Sequence, residues 1–307
     1  MNFLYILESI RNPILDVVMS IVTYVGDEAF FLLAALFVFW CVDKKSGYLV
    51  LAVGFSGTLV NQFMKITWRI PRPWVLDPNF TIVESAREAA TGYSFPSGHS
   101  PNAVGTLGAI AVSSKKKLIW ILCTAGAILV PLSRMYLGVH TPKDVVVGSL
   151  IAIVCVAIFA PLMNLIYKTP KNMYAMFITM LVIANIYLVY TFVLNYLEGI
   201  DPENLYEAQK NACSLVGSLI GVLIAYTLER RDVNFDTKAP LLGQILKLVL
   251  GVGIAVGIKS GLKPLFNLIF GDALIAPNVL RYMIVVIFAV YVWPKTFKFF
   301  AKIGAKK

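Results

Sequence analysis

The stretch GYSFPSGHSP, residues 92–101, places Ser97, Gly98 and His99 between two prolines. The chain has only two histidines among its 307 residues, so a histidine in this setting is a rare event. Serine is a good helix N-cap, and proline is tolerated in a first helical turn. The stretch therefore predicts either an ordinary helix start with an incidental histidine or a polar site built at the edge of a membrane.

The composition around this stretch indicates a membrane protein. The chain is 58% hydrophobic and 14% charged, whereas about 25% of a soluble domain is charged. Apolar runs recur along the whole sequence and approach the roughly 20 residues that a spanning helix needs. We therefore predict an all-α, polytopic membrane helical bundle. The predicted spans lie near 13–27, 28–42, 47–68, 97–113, 117–136, 143–167, 173–196, 211–228, 240–260 and 277–293.

The first two of these spans are short and form either one broken unit or two crossings, which gives nine or ten spans. The piece 261–276 is predicted to be a short re-entrant or interfacial segment. The N-terminal sequence lacks a basic start followed by a small-residue cleavage site, so no cleavable signal peptide is predicted.

The loops predict the orientation, because cytoplasmic loops collect Lys and Arg. The basic segments are 43–45, 115–117, 167–172, 229–238 and the C-terminal tail 294–307. They alternate with less basic or acidic connections, of which 198–210 is the acidic one. The C-terminus is therefore predicted to be cytoplasmic, and the connection 69–96 to face outward. The net charge of +10 does not indicate nucleic-acid binding, because the basic residues lie mostly in membrane loops.

The cysteines stand singly in or beside apolar runs, with no CxxC pair. Disulfides and metal sites are therefore not predicted, and packed thiols are the favoured use. The four residues are Cys41, Cys123, Cys155 and Cys213.

Three polar segments reach the same predicted outer face. They are KITWRIPRPW at 65–74, PSGH at 96–99 and SRMYLGVHTPKD at 133–144. Each has an ordinary explanation by itself. Lys65 and Arg72 can snorkel at a helix end, and TPKD is a helix start with Asp144 as a capping partner. Their convergence on one face favours a functional site, since charges at membrane depth are usually functional.

The residue types at this face suit a phosphate. Backbone N–H groups at the helix start 97–99 can point at an anion. The cations Lys65, Arg72 and Arg134 can neutralise its oxygens, and arginine can bind two oxygens at once.

The second histidine has a carboxylate within reach. Asp144 lies four residues after His140, so it can fix the imidazole tautomer and raise the nucleophilicity of the ring. His99, on the opposite segment, can protonate a leaving oxygen.

These residues match a known pattern. Residues 65–73 fit Lys-x6-Arg-Pro, 96–99 fit Pro-Ser-Gly-His, and 133–144 fit Ser-Arg-x5-His-x3-Asp. In order and spacing the chain resembles the type 2 phosphatidic acid phosphatase superfamily. That superfamily includes lipid phosphate phosphatases, undecaprenyl-diphosphate phosphatases, sphingosine-phosphate phosphatases, glucose-6-phosphatases and soluble vanadium haloperoxidases. The resemblance covers about residues 13–168, a six-helix core.

The resemblance implies roles for these residues. His140 would take the phosphoryl group as a phosphohistidine, with Asp144 orienting it. His99 would be the general acid and then the base that activates water. No metal or cofactor is implied, because a cage of cations neutralises the phosphate. The implied phosphate-binding residues are Lys65, Arg72, Ser97, Gly98 and Arg134.

The sequence divides into a phosphatase core, 1–168, and about four additional C-terminal transmembrane helices, 169–307. We expect these helices to wall the access route of a lipid or to bind its head group. The candidate head-group contacts are Arg69, Arg87, Lys259, Lys263 and Arg281. Snorkelling at helix ends, or solvated loop charge for the first two, explains the same residues.

The predicted function is hydrolysis of a lipid phosphate or lipid diphosphate on the extracytoplasmic face of the membrane. The predicted partners are therefore the lipid phosphate and the bilayer. Two alternatives use the same site: a phosphotransferase that passes the phosphoryl group to another acceptor, and a lipid-phosphate transporter or flippase. A haloperoxidase is disfavoured because those relatives are soluble. The bacterial plasma membrane is the favoured location, although an endoplasmic reticulum protein with a lumenal site would show similar features.

Overall fold

The computed structural model describes residues 1–88, 90–197, 199–271 and 273–304. Within these ranges every regular element is helical. The α-helices are α1 (Asn2–Ser9), α2 (Pro13–Thr23), α3 (Glu28–Phe37), α4 (Lys44–Trp68), α5 (Pro73–Leu76), α6 (His99–Ser113), α7 (Lys117–Tyr136), α8 (Pro142–Ile166), α9 (Pro170–Val193), α10 (Pro202–Leu228), α11 (Leu241–Phe270), α12 (Ile275–Ile287) and α13 (Phe297–Phe300).

Short turns of other helix types extend or join these helices. The 3₁₀ turns are Tyr24–Gly26, Glu84–Ala86, Leu194–Tyr196 and Trp293–Thr296. The wider π-helical turns are Val38–Val42, Glu229–Val233 and Phe288–Val292. Parts of four predicted segments lie outside the described residues: Ala89 of the connection 69–96, Glu198 of the acidic connection, Asp272 of the piece 261–276, and 305–307 of the tail.

The helices confirm the predicted polytopic bundle. By length and composition, seven helices of the described residues can cross a membrane, or up to eight if a bent pair counts as one span. That pair is Pro13–Gly26 and Glu28–Val42, which meet at an angle of 55°. Four of the seven follow residue 169, as predicted. The predicted total of nine or ten is higher because α6 has only 15 residues, fewer than the roughly 20 that cross a bilayer without thinning it.

The chain forms two compact units, and the first carries the three polar motifs. It comprises Met1–Ala34, Leu49–Leu162 and Leu197–Glu207. Within it, α7 packs against α6, α2 and α1. The contact of α6 with α7 includes the buried side chains of Leu107, Ala111 and Cys123. This packing brings the start of α6 and the end of α7 to one place.

The second unit comprises Ala35–Tyr48, Met163–Tyr196 and Ala208–Lys307. Its interior holds the fully buried Lys247, whose ammonium group donates to the carbonyls of Trp40 (2.9 Å) and Thr237 (3.0 Å). Trp40 in turn donates from Nε1 to the carbonyl of Ala289 at 2.9 Å. Hydrogen bonds to backbone carbonyls thus satisfy a buried lysine, as burial of a charged group requires.

The unit boundaries differ from the predicted division at residue 168. Residues 35–48 come early in the chain, yet they belong to the second unit because their side chains pack there. One such contact is the ion pair of Lys44 with Glu229 at 2.7 Å. Packing between residues far apart in sequence decides these boundaries, and local composition does not encode it.

Candidate active site

His140 lies in the short connection between α7 and α8 and is buried, with Asp144 in the first turn of α8. One oxygen of Asp144 accepts from the backbone N–H of Thr141 at 2.7 Å and lies 3.5 Å from His140 Nδ1. The same carboxylate therefore caps the helix and faces the imidazole. The sequence left open whether Asp144 is a helix cap or the partner of His140, and this one side chain makes both contacts.

Ser94 and Arg72 complete the surroundings of His140. Ser94 Oγ donates to Asp144 Oδ2 at 2.6 Å and lies 3.4 Å from His140 Nδ1. Arg72 Nη1 lies 3.0 Å from His140 Nε2. The same Nη1 lies 3.5 Å from Nδ1, so it does not by itself decide which nitrogen carries the proton. The Asp144 carboxylate only accepts, and it faces Nδ1, which favours the proton on Nδ1 and the lone pair on Nε2. The ring is thus held in the tautomer whose Nε2 can attack an electrophile.

The electrostatic surroundings keep this imidazole neutral. Burial lowers the pKa of His140 well below its ordinary value, and the positive charges of Arg72, Arg134 and Lys65 lower it further. A neutral ring is the nucleophilic form.

Arg134, near the end of α7, is fully buried and only partly hydrogen-bonded. Its Nη1 donates to Thr23 Oγ1 at 2.9 Å, whereas Nε and Nη2 have no hydrogen-bond partner in the structure. Buried donors almost always have a hydrogen-bond partner. Two neighbouring donors without one therefore point to a ligand. Nε and Nη2 form the edge of the guanidinium that matches two oxygens of one carboxylate or phosphate.

The loop before the PSGH segment positions the other two cations through its carbonyl groups. Lys65 Nζ donates to the carbonyl of Tyr93 at 2.5 Å. Arg72 donates to the carbonyls of Thr91 (2.6 Å) and Gly92 (3.1 Å). Residues 91–93 therefore hold Lys65 and Arg72 in place without neutralising their charge.

The start of α6 supplies fewer free donors than predicted. Helix α6 begins at His99 with Gly98 as its N-cap, and the Ser97 N–H donates to the carbonyl of Asp144 at 3.0 Å. The Ser97 N–H is thus already used, and only those of Gly98 and His99 stay candidates for an anion. Asn61 Nδ2 donates to the Ser97 carbonyl at 2.8 Å, which fixes the loop from the side of α4.

Comparison with known proteins shows the family of this chain. The family model "PAP2 superfamily" matches residues 45–168, and "PAP2 superfamily phosphatase, transmembrane extension" matches residues 213–306. Phosphatidylglycerophosphatase B of Bacillus subtilis (strain 168) is 33% identical over 156 residues, which cover 45% of this chain and 70% of that protein. The chain belongs to the PAP2 superfamily.

Two further relatives show how far the similarity extends. Undecaprenyl-diphosphatase BcrC of Bacillus subtilis (strain 168) is 30% identical over 151 residues, 47% of this chain and 72% of that protein. A probable sphingosine-1-phosphate phosphatase of Dictyostelium discoideum is 30% identical over 165 residues, 48% of this chain but only 38% of that protein. No solved structure matches the chain with statistical significance.

All three motifs lie within the PAP2 match, but two residues that touch the site lie before it. Asp27 Oδ1 is 2.7 Å from His99 Nε2, and Thr23 accepts from Arg134. Sequence reasoning missed both, as it missed Ser94 and Asn61. The sequence does place Asp27 at the break between the first two apolar runs. An acidic residue at such a break is equally typical of a helix cap, so the pattern alone does not predict a contact with His99.

The candidate head-group contacts of this PAP2 chain have other neighbours. Arg87 donates twice to the Glu84 carboxylate, at 2.7 and 2.8 Å. In the second unit, Lys259 and Arg281 both lie over the ring of Tyr282. The contacts of these three residues with a head group stay a prediction, as do those of Arg69 and Lys263.

Proposed function

We propose that this chain is a metal-independent phosphatase that hydrolyses a lipid phosphate or lipid diphosphate through a phosphohistidine, with its active site on the extracytoplasmic face. It is a membrane protein of the PAP2 superfamily and a hydrolase of phosphoric esters or diphosphates. The curated relatives match only about half of this chain, so the lipid substrate is part of the proposal.

The observation that carries the proposal is the unpaired Nε–Nη2 edge of the buried Arg134, whose positive charge acts on the neutral His140. The guanidinium edge fits two oxygens of one phosphate, and the imidazole supplies a nucleophile for its phosphorus. Asp144 and Ser94 hold Nδ1, so the attacking atom is Nε2.

The proposed reaction has two steps. His140 Nε2 forms a bond to phosphorus while the bond from phosphorus to the leaving oxygen breaks, and His99 gives that oxygen a proton. His99 then takes a proton from water as the water attacks the phosphohistidine, which releases inorganic phosphate and restores both rings. Lys65, Arg72 and Arg134 balance the charge that gathers on the phosphoryl oxygens, the task that Mg²⁺ performs in other phosphoryl-transfer sites.

Phosphate release by the purified protein in detergent tests the proposal. The panel is phosphatidic acid, phosphatidylglycerophosphate, undecaprenyl diphosphate, sphingosine-1-phosphate and glucose 6-phosphate, each with EDTA. We expect release from at least one lipid at a rate that EDTA leaves unchanged, because three cations replace the metal. Loss of release with EDTA, restored by Mg²⁺, would contradict metal independence.

The same assay separates the alternatives. Consumption of a lipid phosphate without inorganic phosphate, but with a new phosphorylated acceptor, indicates a phosphotransferase. A folded protein that binds the lipids without converting any of them indicates a transporter.

Cysteine labelling tests the orientation. In a Cys41→Ser background the remaining native cysteines are buried. We expect a membrane-impermeant maleimide to label Asn79→Cys in intact cells, and Lys116→Cys only after permeabilisation, because both positions are exposed and the basic loop 115–117 is predicted to be cytoplasmic. The two positions flank α6, so labelling of both from the same side would show that α6 does not cross the membrane. The reverse pattern would place the active site in the cytoplasm.

A further inference from the structure

We propose that Asp27 is a positioning residue for His99, and that the turn 23–27, outside the matched family region, completes the active site. The inference rests on the proposed function, since it assigns a partner to the histidine that protonates the leaving oxygen.

The first support is the contact itself. Asp27 Oδ1 lies 2.7 Å from His99 Nε2, with 29% of the aspartate side chain and 15% of the histidine side chain exposed. The approach is at ion-pair distance but bent, since it does not meet the geometry of an aligned hydrogen bond. A carboxylate only accepts, so the Asp27 oxygen favours the tautomer that carries its proton on Nε2. Nδ1 is then the ring nitrogen left to exchange a proton with the leaving oxygen and with water.

The backbone around Asp27 is fixed on both sides. The Asp27 N–H donates to the carbonyl of Tyr24 at 3.1 Å, and its own carbonyl accepts from the N–H of Phe31 at 3.1 Å. The carboxylate therefore leaves from the junction between the 3₁₀ turn and α3. This is a defined position at the 55° break of the first helix pair.

The turn is also packed tightly against His99. A Cβ at Gly26 would lie 2.8 Å from the Cβ and 2.9 Å from the carbonyl oxygen of His99, so only glycine allows this approach. Asn102 Nδ2 donates to the Gly26 carbonyl at 3.2 Å, which ties the turn to α6. With Thr23 accepting from Arg134, the same short segment contacts α6 and α7.

The charges around His99 explain what the carboxylate does. The groups that act on this ring are Asp27, Arg134, Arg72 and His140. Burial opposes a proton on His99 most strongly, the guanidinium groups of Arg134 and Arg72 add to it, and Asp27 acts against all three. A general acid must carry a proton at the start of each turnover, so a carboxylate here serves the first proposed step.

The test compares two phosphate esters whose leaving groups depend to different degrees on protonation by a general acid. Phenyl phosphate has a more basic leaving group than p-nitrophenyl phosphate and depends more on protonation. We expect Asp27→Asn to lower kcat/KM by about 10²-fold for phenyl phosphate and by less than about 10-fold for p-nitrophenyl phosphate. An equal loss with both esters would overturn the proposal, because structural damage does not sense the leaving group.

Asp16→Asn is the matched control. Asp16 is a carboxylate of the preceding helix that accepts from Tyr136 Oη at 2.8 Å, and it does not contact His99. We expect this change to leave the ratio of the two kcat/KM values unaltered. A ratio shifted as much as in Asp27→Asn would also overturn the assignment.

A second measurement does not depend on activity. The chain has two histidines, so ¹⁵N-histidine labelling gives two sets of ring signals, which His99→Gln assigns. We expect Asp27→Asn to move the ring nitrogen signals of His99 and to leave those of His140 in place. Unmoved His99 signals would overturn the proposed contact. A wild-type protein inactive on every ester would instead defeat the proposed function, while the spectra still decide the Asp27–His99 pairing.

Discussion

Replacing His140 by alanine is expected to lower phosphate release by about 10⁴-fold or more, as loss of a covalent nucleophile does in other enzymes. The reason is that the Asp144 and Ser94 oxygens face Nδ1 and leave Nε2 as the attacking atom. A water molecule that attacks directly has no such orientation. The measurement is kcat/KM for the best lipid of the panel.

Trapping separates loss of chemistry from loss of fold. With ³²P-labelled substrate and an alkaline quench, which preserves phosphohistidine, the wild-type protein should carry label and His140→Ala should not. His140→Gln, which keeps most of the volume of this buried side chain, should melt within a few degrees of the wild type and stay inactive. Label retained on either variant would place the nucleophile at another residue.

Changing Arg134 to lysine is expected to lower kcat/KM by about 10²- to 10³-fold, the loss that follows removal of one preorganised donor for a reacting oxygen. Lysine keeps the positive charge but cannot present two parallel donors to a phosphate. It also cannot donate to Thr23 with the same geometry. The expected effect falls mainly on kcat, because the developing charge in the transition state needs both donors.

Arg11→Lys is the matched control for that change. Arg11 is another largely buried arginine of the first unit, and it donates to the backbone carbonyls of Tyr136 (2.9 Å) and Thr81 (2.8 Å). We expect this variant to lose thermal stability while its kcat/KM stays within about threefold of the wild type. An Arg134→Lys protein with unchanged kinetics would contradict the assignment of its free edge to phosphate.

Local features of the site could be predicted from the sequence alone. The capping pattern TPKD fixed Asp144 one turn from His140, and the structure has both contacts. The three motifs marked Lys65, Arg72, His99, Arg134 and His140, of which Arg72 and His140 are in direct contact. The apolar runs predicted the helices, since a spanning helix must satisfy its own backbone.

Tertiary packing decided the rest. Asp27 reaches His99 across 72 positions of sequence because the break after α2 brings its turn onto α6. An acidic residue at a helix break has the same local pattern whether it caps a helix or faces a histidine. The Ser97 N–H likewise fits an anion site in the sequence, but the chain folds so that the Asp144 carbonyl accepts from it.

The sequence by itself therefore determined the helices, the membrane setting and the residue types of a phosphate site, because these follow from patterns within a few turns of chain. Only the tertiary structure decided which donors stay free, which carboxylate meets His99, and that 35–48 belongs with the C-terminal helices. Those outcomes depend on how helices distant in sequence pack together, and the spacing of residues within one segment carries no record of that packing.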